Sequence, residues 1–260
     1  MVVKMIKKYI NSLKQTKILK GFFVDILFGL ALFIISGVVA FLLQKKSGTL
    51  QNVSLQNLKE QLLSSPEIAQ ALITDLRSFL VILIIGILVL TVGSLLLFSL
   101  TRSLIWNNLL KKKSSKKNYW RWNIFLVLVP FHLLPYFILY FFVKSIINVL
   151  FSSSTFLTVI NAFLTIALFI IFPILLFILM YSFTQEYKVW KSFATTYELI
   201  KQKWSKIKCL YLFALGTAVV LNCILFITEK FISVSIITGI LFILYLAWLR
   251  VYVVQTLNSS

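Results

Sequence analysis

Two residues in this sequence place an ionisable side chain well inside an apolar stretch: Asp25 and His132, the only histidine of the chain. A charge at the centre of a bilayer costs about 3 kcal/mol or more, so such residues are kept for pairing, proton transfer or solute contact. Asp25 stands about one turn into the first apolar run, and His132 about two turns into the third. If those runs are neighbouring helices, an Asp25–His132 hydrogen bond becomes a candidate proton relay. The plainer alternative has Asp25 reaching back to the interface and His132 binding a carbonyl freed by a proline. Pro130 and Pro135 flank His132 and remove two backbone donors, which predicts a kink or break at that level. Asn161 and Asn222 complete the candidate polar set within the apolar runs, either as bonds between helices or as contacts for a polar solute.

Other chemistry lacks its residues. One histidine with no second histidine or cysteine at ligand spacing makes no zinc site, so no metal is expected. Cys209 and Cys223 are 14 positions apart, about 21 Å along a helix, which is too far for a disulfide. Eight scattered glycines form neither a Walker loop nor a GxGxxG turn, and no serine sits in a nucleophile elbow. With seven acidic residues in all, of which only Asp25 reads as buried, a paired-carboxylate site is not expected. These patterns predict a protein that is not an enzyme and carries no cofactor.

The elements that position the polar residues are membrane spans. A chain of 260 residues that is 60% hydrophobic, with a mean hydropathy of +0.97, holds more apolar surface than a globular core requires. Six stretches reach the roughly 20 residues that cross a bilayer: about 22–43, 79–100, 124–143, 156–180, 209–228 and 234–254. No period-two alternation marks a barrel. Arg250, near the end of the sixth, is the one formal charge besides Asp25 within them. The expected fold is all-α, a polytopic transmembrane helical bundle of about six spans. Residues 22–254 are read as a single transmembrane domain, preceded by a basic amphipathic segment (1–21) and followed by a short tail (255–260).

Charge sets the orientation. Lysines and arginines number six in residues 1–21, seven in 101–123 and six in 181–208, against four, one and one in the alternate loops. That alternation predicts a multi-pass protein of the cell membrane with both termini cytoplasmic. A net charge of +19 therefore reflects topology and calls for no nucleic acid. The lysines before the first apolar run suggest a cleaved leader as the competing reading, but a run of about 20 residues is longer than the 7 to 15 of such a segment.

Between the spans, Ser65 followed by Pro66 reads as a helix start that runs through Asp75 and Arg77 into span two. Ser54–Leu63 has a leucine face, which predicts a short helix in the outer loop 44–78. Asn52-Val53-Ser54 matches a glycosylation sequon. On the other side, Val189, Phe193, Tyr197, Ile200, Trp204 and Ile207 recur at helical spacing among lysines, and Val2, Ile6, Tyr9 and Leu13 do the same. Both predict amphipathic helices lying at the cytoplasmic interface against anionic lipid headgroups. The expected headgroup contacts are Lys111, Lys112, Lys113, Trp190, Lys191, Lys201, Lys203 and Trp204. Phe98-Ser99-Leu100-Thr101 before Trp106 and Trp120 parallels Tyr181-Ser182-Phe183-Thr184 before Trp190 and Trp204, which suggests an internal repeat.

The residues Trp190, Phe193, Tyr197, Leu199, Ile200, Lys201 and Trp204, standing before a span, resemble a pattern in six-helix membrane families of archaea and bacteria. Some of those families are similar to the membrane domain of glycerophosphodiester phosphodiesterases. The resemblance covers about a tenth of the chain and implies helical architecture; it carries over no activity, since it does not extend to a phosphodiesterase catalytic domain. The resulting expectation is a scaffold or accessory protein whose basic inner surface binds lipid headgroups or a protein partner, a second copy included. The alternative is a small proton-coupled transporter or permease component using Asp25, His132, Asn161 and Asn222. A lipid-acting enzyme would need a nucleophile or metal for which the sequence offers no residues.

Overall fold

The structure, a computed structural model, describes residues 2–51, 66–150, 155–228 and 234–258. All its regular elements are helices: α1 (Val2–Leu13), α2 (Thr16–Gln51), α3 (Pro66–Leu110), α4 (Lys116–Leu150), α5 (Thr155–Glu186), α6 (Val189–Gln202), α7 (Trp204–Thr228) and α8 (Val234–Leu257). Lipid offers the backbone no hydrogen-bond partners, so apolar runs of this length close their bonds internally as helices. Six helices are long and apolar enough to cross a membrane: α2, α3, α4, α5, α7 and α8. They are the six expected spans, and the chain is an all-α polytopic membrane protein.

The helices outrun the apolar stretches. α3 has 45 residues, so it is about 68 Å long, roughly twice the hydrocarbon thickness. It starts at Pro66, as the sequence predicts, and carries Asp75 and Arg77 on an uninterrupted helix. The outer-loop helix 54–63 and the sequon lie outside the described residues. At the other end α3 continues through Trp106 to Leu110, and only 111–115 separate it from α4. The parallel segment behaves differently: after α5 the chain turns at Tyr187 into the separate helix α6. Trp106 is fully buried, its indole N–H donating to Met180 Sδ at 3.2 Å, whereas Trp190 is 76% exposed. The first tryptophans of the apparent repeat thus occupy opposite environments, while the second, Trp120 and Trp204, are both exposed.

The chain forms two compact units, residues 1–26 with 99–260, and residues 27–98. In the smaller unit the described parts of α2 and α3 lie antiparallel: Phe28 meets Phe98 (ring centroids 5.6 Å apart) and Lys46 Nζ lies 3.7 Å from an Asp75 carboxylate oxygen. Between these contacts Gly86 faces Val39 so closely that a Cβ on residue 86 would lie 2.7 Å from Val39 Cγ1. Much of the remaining surface is large and apolar, with Phe33 75% exposed, as a lipid-facing surface requires.

In the larger unit α5 and α8 supply most of the buried side chains, among them Ile178, Leu179, Met180, Phe183, Leu249 and Val253. Phe125 of α4 stacks on Phe183 at 4.1 Å, with Trp122 edge-on to both. Contrary to the sequence pattern, α1 does not present Tyr9 to lipid. Its ring stacks on Phe213 of α7 at 5.2 Å and meets Trp248 of α8 edge-on, and its hydroxyl shares a hydrogen bond with Thr217. The Trp248 indole N–H donates to Ser12 Oγ at 2.9 Å, which fixes the end of α1 against α8. A tyrosine has an apolar ring and a polar tip, and two partner helices satisfy both here.

Pro130 and Pro135 lie inside α4, which is assigned as helix throughout Lys116–Leu150. Of the kink or break predicted from them, the helix is not broken, because neighbouring helices and local adjustment accommodate proline within membrane helices.

Gly86→Val is expected to lower stability by about 1–3 kcal/mol through overpacking against Val39, read from unfolding by SDS in mixed micelles. Val39→Ala in the same chain should restore part of the loss; a Gly86→Val protein as stable as the parent would show that the close approach is not maintained.

Candidate functional site

The end of the larger unit that gathers α1, the start of α2, the ends of α3, α5 and α8 and the helix α6 is dense in polar contacts. Its centre is Asp25. Arg102 of α3 and Arg250 of α8 each donate from Nη2 to a different oxygen of the Asp25 carboxylate. The side chains of Asp25, Arg102 and Arg250 are about 10%, 9% and 2% exposed. Arg250 also donates from Nε to Leu246 O one turn earlier, at 3.1 Å, and its guanidinium lies 5.7 Å from the Phe177 ring centroid. One carboxylate between two guanidiniums leaves a buried surplus of one positive charge. Its Nη1 is buried without a hydrogen-bond partner. Three helices far apart in sequence are thus fastened through one carboxylate, an arrangement whose loss of any member strands a charge in low dielectric.

The sequence pointed to Asp25 but not to its partners. Arg102 falls just past the second apolar run and counts there as one of the topology-setting loop charges, while Arg250 reads as a span-end charge. The available signal is that a lone buried carboxylate near the basic ends of the spans must find a cation, and that arginines stand within a few residues of those ends.

His132 is not that partner. Its imidazole is exposed and stacks on Phe193 of α6, centroids 4.2 Å apart with planes 16° from parallel. Asn161 bridges α4 and α5 by donating to Asn148 Oδ1 at 2.8 Å, while Thr165 Oγ1 contacts its own Oδ1 at 3.5 Å. That is the interhelical bonding expected of it. Asn222 instead lines an apolar cavity of ≈ 460 Å³ between α5, α7 and α8, with Thr165 and Tyr245 on its wall. The four candidate residues therefore occupy three separate places, and the Asp25–His132 pair that a proton relay would use is not formed.

The basic residues divide into two groups. Lys112 donates to Gln185 O near the end of α5, and Lys203 donates to Leu257 O, the last residue of α8. Both satisfy carbonyls that a helix terminus leaves open, and both place a cation at the negative end of a helix dipole. Burial lowers both ammonium pKa values from the ordinary lysine value, with Lys206 adding to the effect at Lys203 and Glu186 opposing it at Lys112. Lys112 lies 5.7 Å from the Tyr187 ring centroid, and the Tyr187 hydroxyl donates to Asn107 Oδ1. Burial raises the Tyr187 pKa, so that hydroxyl is kept protonated as a donor. By contrast Lys111, Lys113, Lys191 and Lys201 are exposed, Lys191 pairing with Glu186 at 2.8 Å. Trp190 and Trp204 are exposed as well, and Lys208 Nζ sits 5.1 Å from the Trp204 ring centroid.

Among the described residues no three histidine, cysteine or acidic side chains gather as a metal site would need. Cys209 and Cys223 are free thiols.

Asp25→Asn is expected to cost about 3–5 kcal/mol, because it leaves two arginines buried together without their anion. Replacing all three residues at once, Asp25→Leu with Arg102→Met and Arg250→Leu, should recover most of that loss in the same unfolding assay. A single substitution without effect would show that the cluster does not hold α2, α3 and α8 together. The chain matches no family model, no curated protein and no solved structure.

Proposed function

We propose that the protein is a non-enzymatic membrane scaffold or accessory protein whose basic end holds anionic lipid headgroups on the cytoplasmic side. The observation that carries this reading is the surface of α6 and the start of α7. Trp190 and Tyr197 are 76% and 71% exposed, and Trp204 borders a shallow groove of ≈ 220 Å³. Ile171, Ile174, Leu175, Ile200 and Ile207 line that groove, and Lys208 stands at it. An apolar groove bordered by the Trp204 indole and Lys208 suits an acyl chain lying under a negatively charged headgroup.

The inward side of α6 supports the same reading. Ser192 and Thr196 are the residues it buries, and Phe193 packs against His132 and Phe125. With small polar groups and one ring facing the protein, the large aromatic side chains are left for lipid. An asymmetry of this kind belongs to a helix docked on a bundle and lying in the interface, where tryptophan and tyrosine rings are favoured. The positive-inside alternation of the loops supports a cytoplasmic position for this face.

In proteoliposomes, brominated phosphatidylglycerol should quench the tryptophan fluorescence more strongly than brominated phosphatidylcholine, and added salt should reduce the difference. Trp190→Phe with Trp204→Phe should remove most of the preference. Equal quenching by the two lipids at low ionic strength would overturn the lipid-holding reading. For orientation, single cysteines at Lys113 and Lys45, introduced after Cys209→Ala and Cys223→Ala, should react with an impermeant maleimide from opposite sides of the membrane, Lys113 from the cytoplasmic one.

A further inference from the structure

A second feature of the basic end is a basin of ≈ 590 Å³ bounded by α1, the start of α2 and the ends of α3, α5 and α8. Its volume lies within the range of sites for small molecules. Three lysines, Lys8, Lys17 and Lys111, line it together with carboxamides that include Asn11, Gln185 and Asn258, and among the described residues its lining contains no carboxylate. Asn258 accepts the Tyr181 hydroxyl on Oδ1 at 2.6 Å, which commits its oxygen to the protein and leaves its NH2 for an acceptor. Lys17 donates one N–H to Leu109 O at 3.2 Å, and an ammonium carries three. The lining is therefore rich in donors and matched to an oxyanion.

Lys111 adds an independent observation. It closes α3 with φ 54°, in the left-handed region. Its N–H bonds Asn108 O at 3.4 Å while the next N–H, of Lys112, bonds Asn107 O at 2.9 Å, which together form a Schellman motif. Glycine is the unstrained residue at that position. A lysine there carries backbone strain on the rim of a cavity, and strain of this kind concentrates where a ligand is held.

The charge beneath the basin reinforces the match. Leu109 lies two turns beyond Arg102 on one face of α3, and Val254 lies one turn beyond Arg250 on one face of α8; both line the basin. The surplus positive charge of the Asp25 cluster thus sits about 6 to 10 Å below the floor along those helices, where low dielectric screens it little.

We propose that this basin is a binding site for a phosphate ester, held by Lys17 and Lys111. It is separate from the α6 face and takes one ligand per chain. The phosphate can come from a soluble ester or from a lipid headgroup, and two probes separate these sources. In phosphatidylcholine nanodiscs the full-length protein is titrated with ribose 5-phosphate, and heat release and Tm are followed. In phosphatidylglycerol nanodiscs, native mass spectrometry after release counts retained lipid.

Saturable binding of ribose 5-phosphate identifies a soluble ester, while one phosphatidylglycerol retained per chain identifies a headgroup. Either supports the site, provided that Lys111→Gly weakens it about tenfold, the worth of one charge-assisted bond. Lys111→Gly also relieves the left-handed strain, so its ligand-free Tm should rise, which excludes misfolding as the cause of lost binding. Lys113→Gly, outside the basin, should bind as the parent does. The proposal is overturned if Lys111→Gly retains parental affinity for both probes. It is equally overturned if neither probe raises Tm beyond sodium chloride of equal ionic strength.

Discussion

The larger unit depends on one carboxylate with two guanidiniums. The Asp25 side chain is about 10% exposed, and the lost solvation is offset because Arg102 and Arg250 reach it from two other helices. The same bonds make the arginines tolerable. In hydrocarbon, apolar surface alone gives little preference for one helix neighbour over another, since lipid tails are as apolar as leucine. A shared ion cluster discriminates: α2, α3 and α8 have one arrangement in which none of the three charges is stranded. Around it the aromatic contacts of Tyr9, Phe213, Trp248 and Tyr252 add packing that is specific in geometry but less demanding in energy.

At the basic end, lysines that composition alone would assign to solvated loops serve as caps for helix termini. Lys112 closes α5 and Lys203 closes α8. Tyr187, left-handed at φ 53°, ends α5 by bonding its N–H to Phe183 O at 2.6 Å, and its hydroxyl ties that turn to Asn107 of α3. Two helix ends are thereby joined to each other rather than left to water. The remaining lysines, Lys113 and Lys201 among them, stay exposed, and only these resemble the solvated face that their composition suggests.

The apolar runs made the six spans legible, because lipid imposes length and composition on any helix that crosses it. Helix length was less legible: α3 and α4 extend past the hydrocarbon with polar residues that a hydropathy count assigns to loops, as at Trp106 and Asn107. That error hid Arg102 from the site, since it was counted with the loop lysines. Tyr9 was misplaced for a related reason. Helical spacing identifies an apolar face but not whether protein or lipid covers it; in α1 the ring of Tyr9 is covered by α7 and α8, while Ile6 and Leu13 stay exposed. Pro130 and Pro135 predict a kink or a break, and α4 is continuous through both, as membrane helices allow. Asn161 was read correctly because an amide in hydrocarbon has few alternatives to a partner on the next helix.

The order of the cluster along the chain bears on biogenesis. Asp25 and Arg102 belong to the first two spans, so they can neutralise each other while the ribosome is still making the remainder. Arg250 lies in the last span, eight residues before the final described position, and its guanidinium has nowhere to go until α2 and α3 are already in place. A chain stalled before that point would hold a balanced pair; a chain that finished without docking α8 would hold an arginine exposed to lipid. Docking of α8 is thus coupled to the neutralisation of its own arginine, since Arg250 meets a carboxylate only against α2.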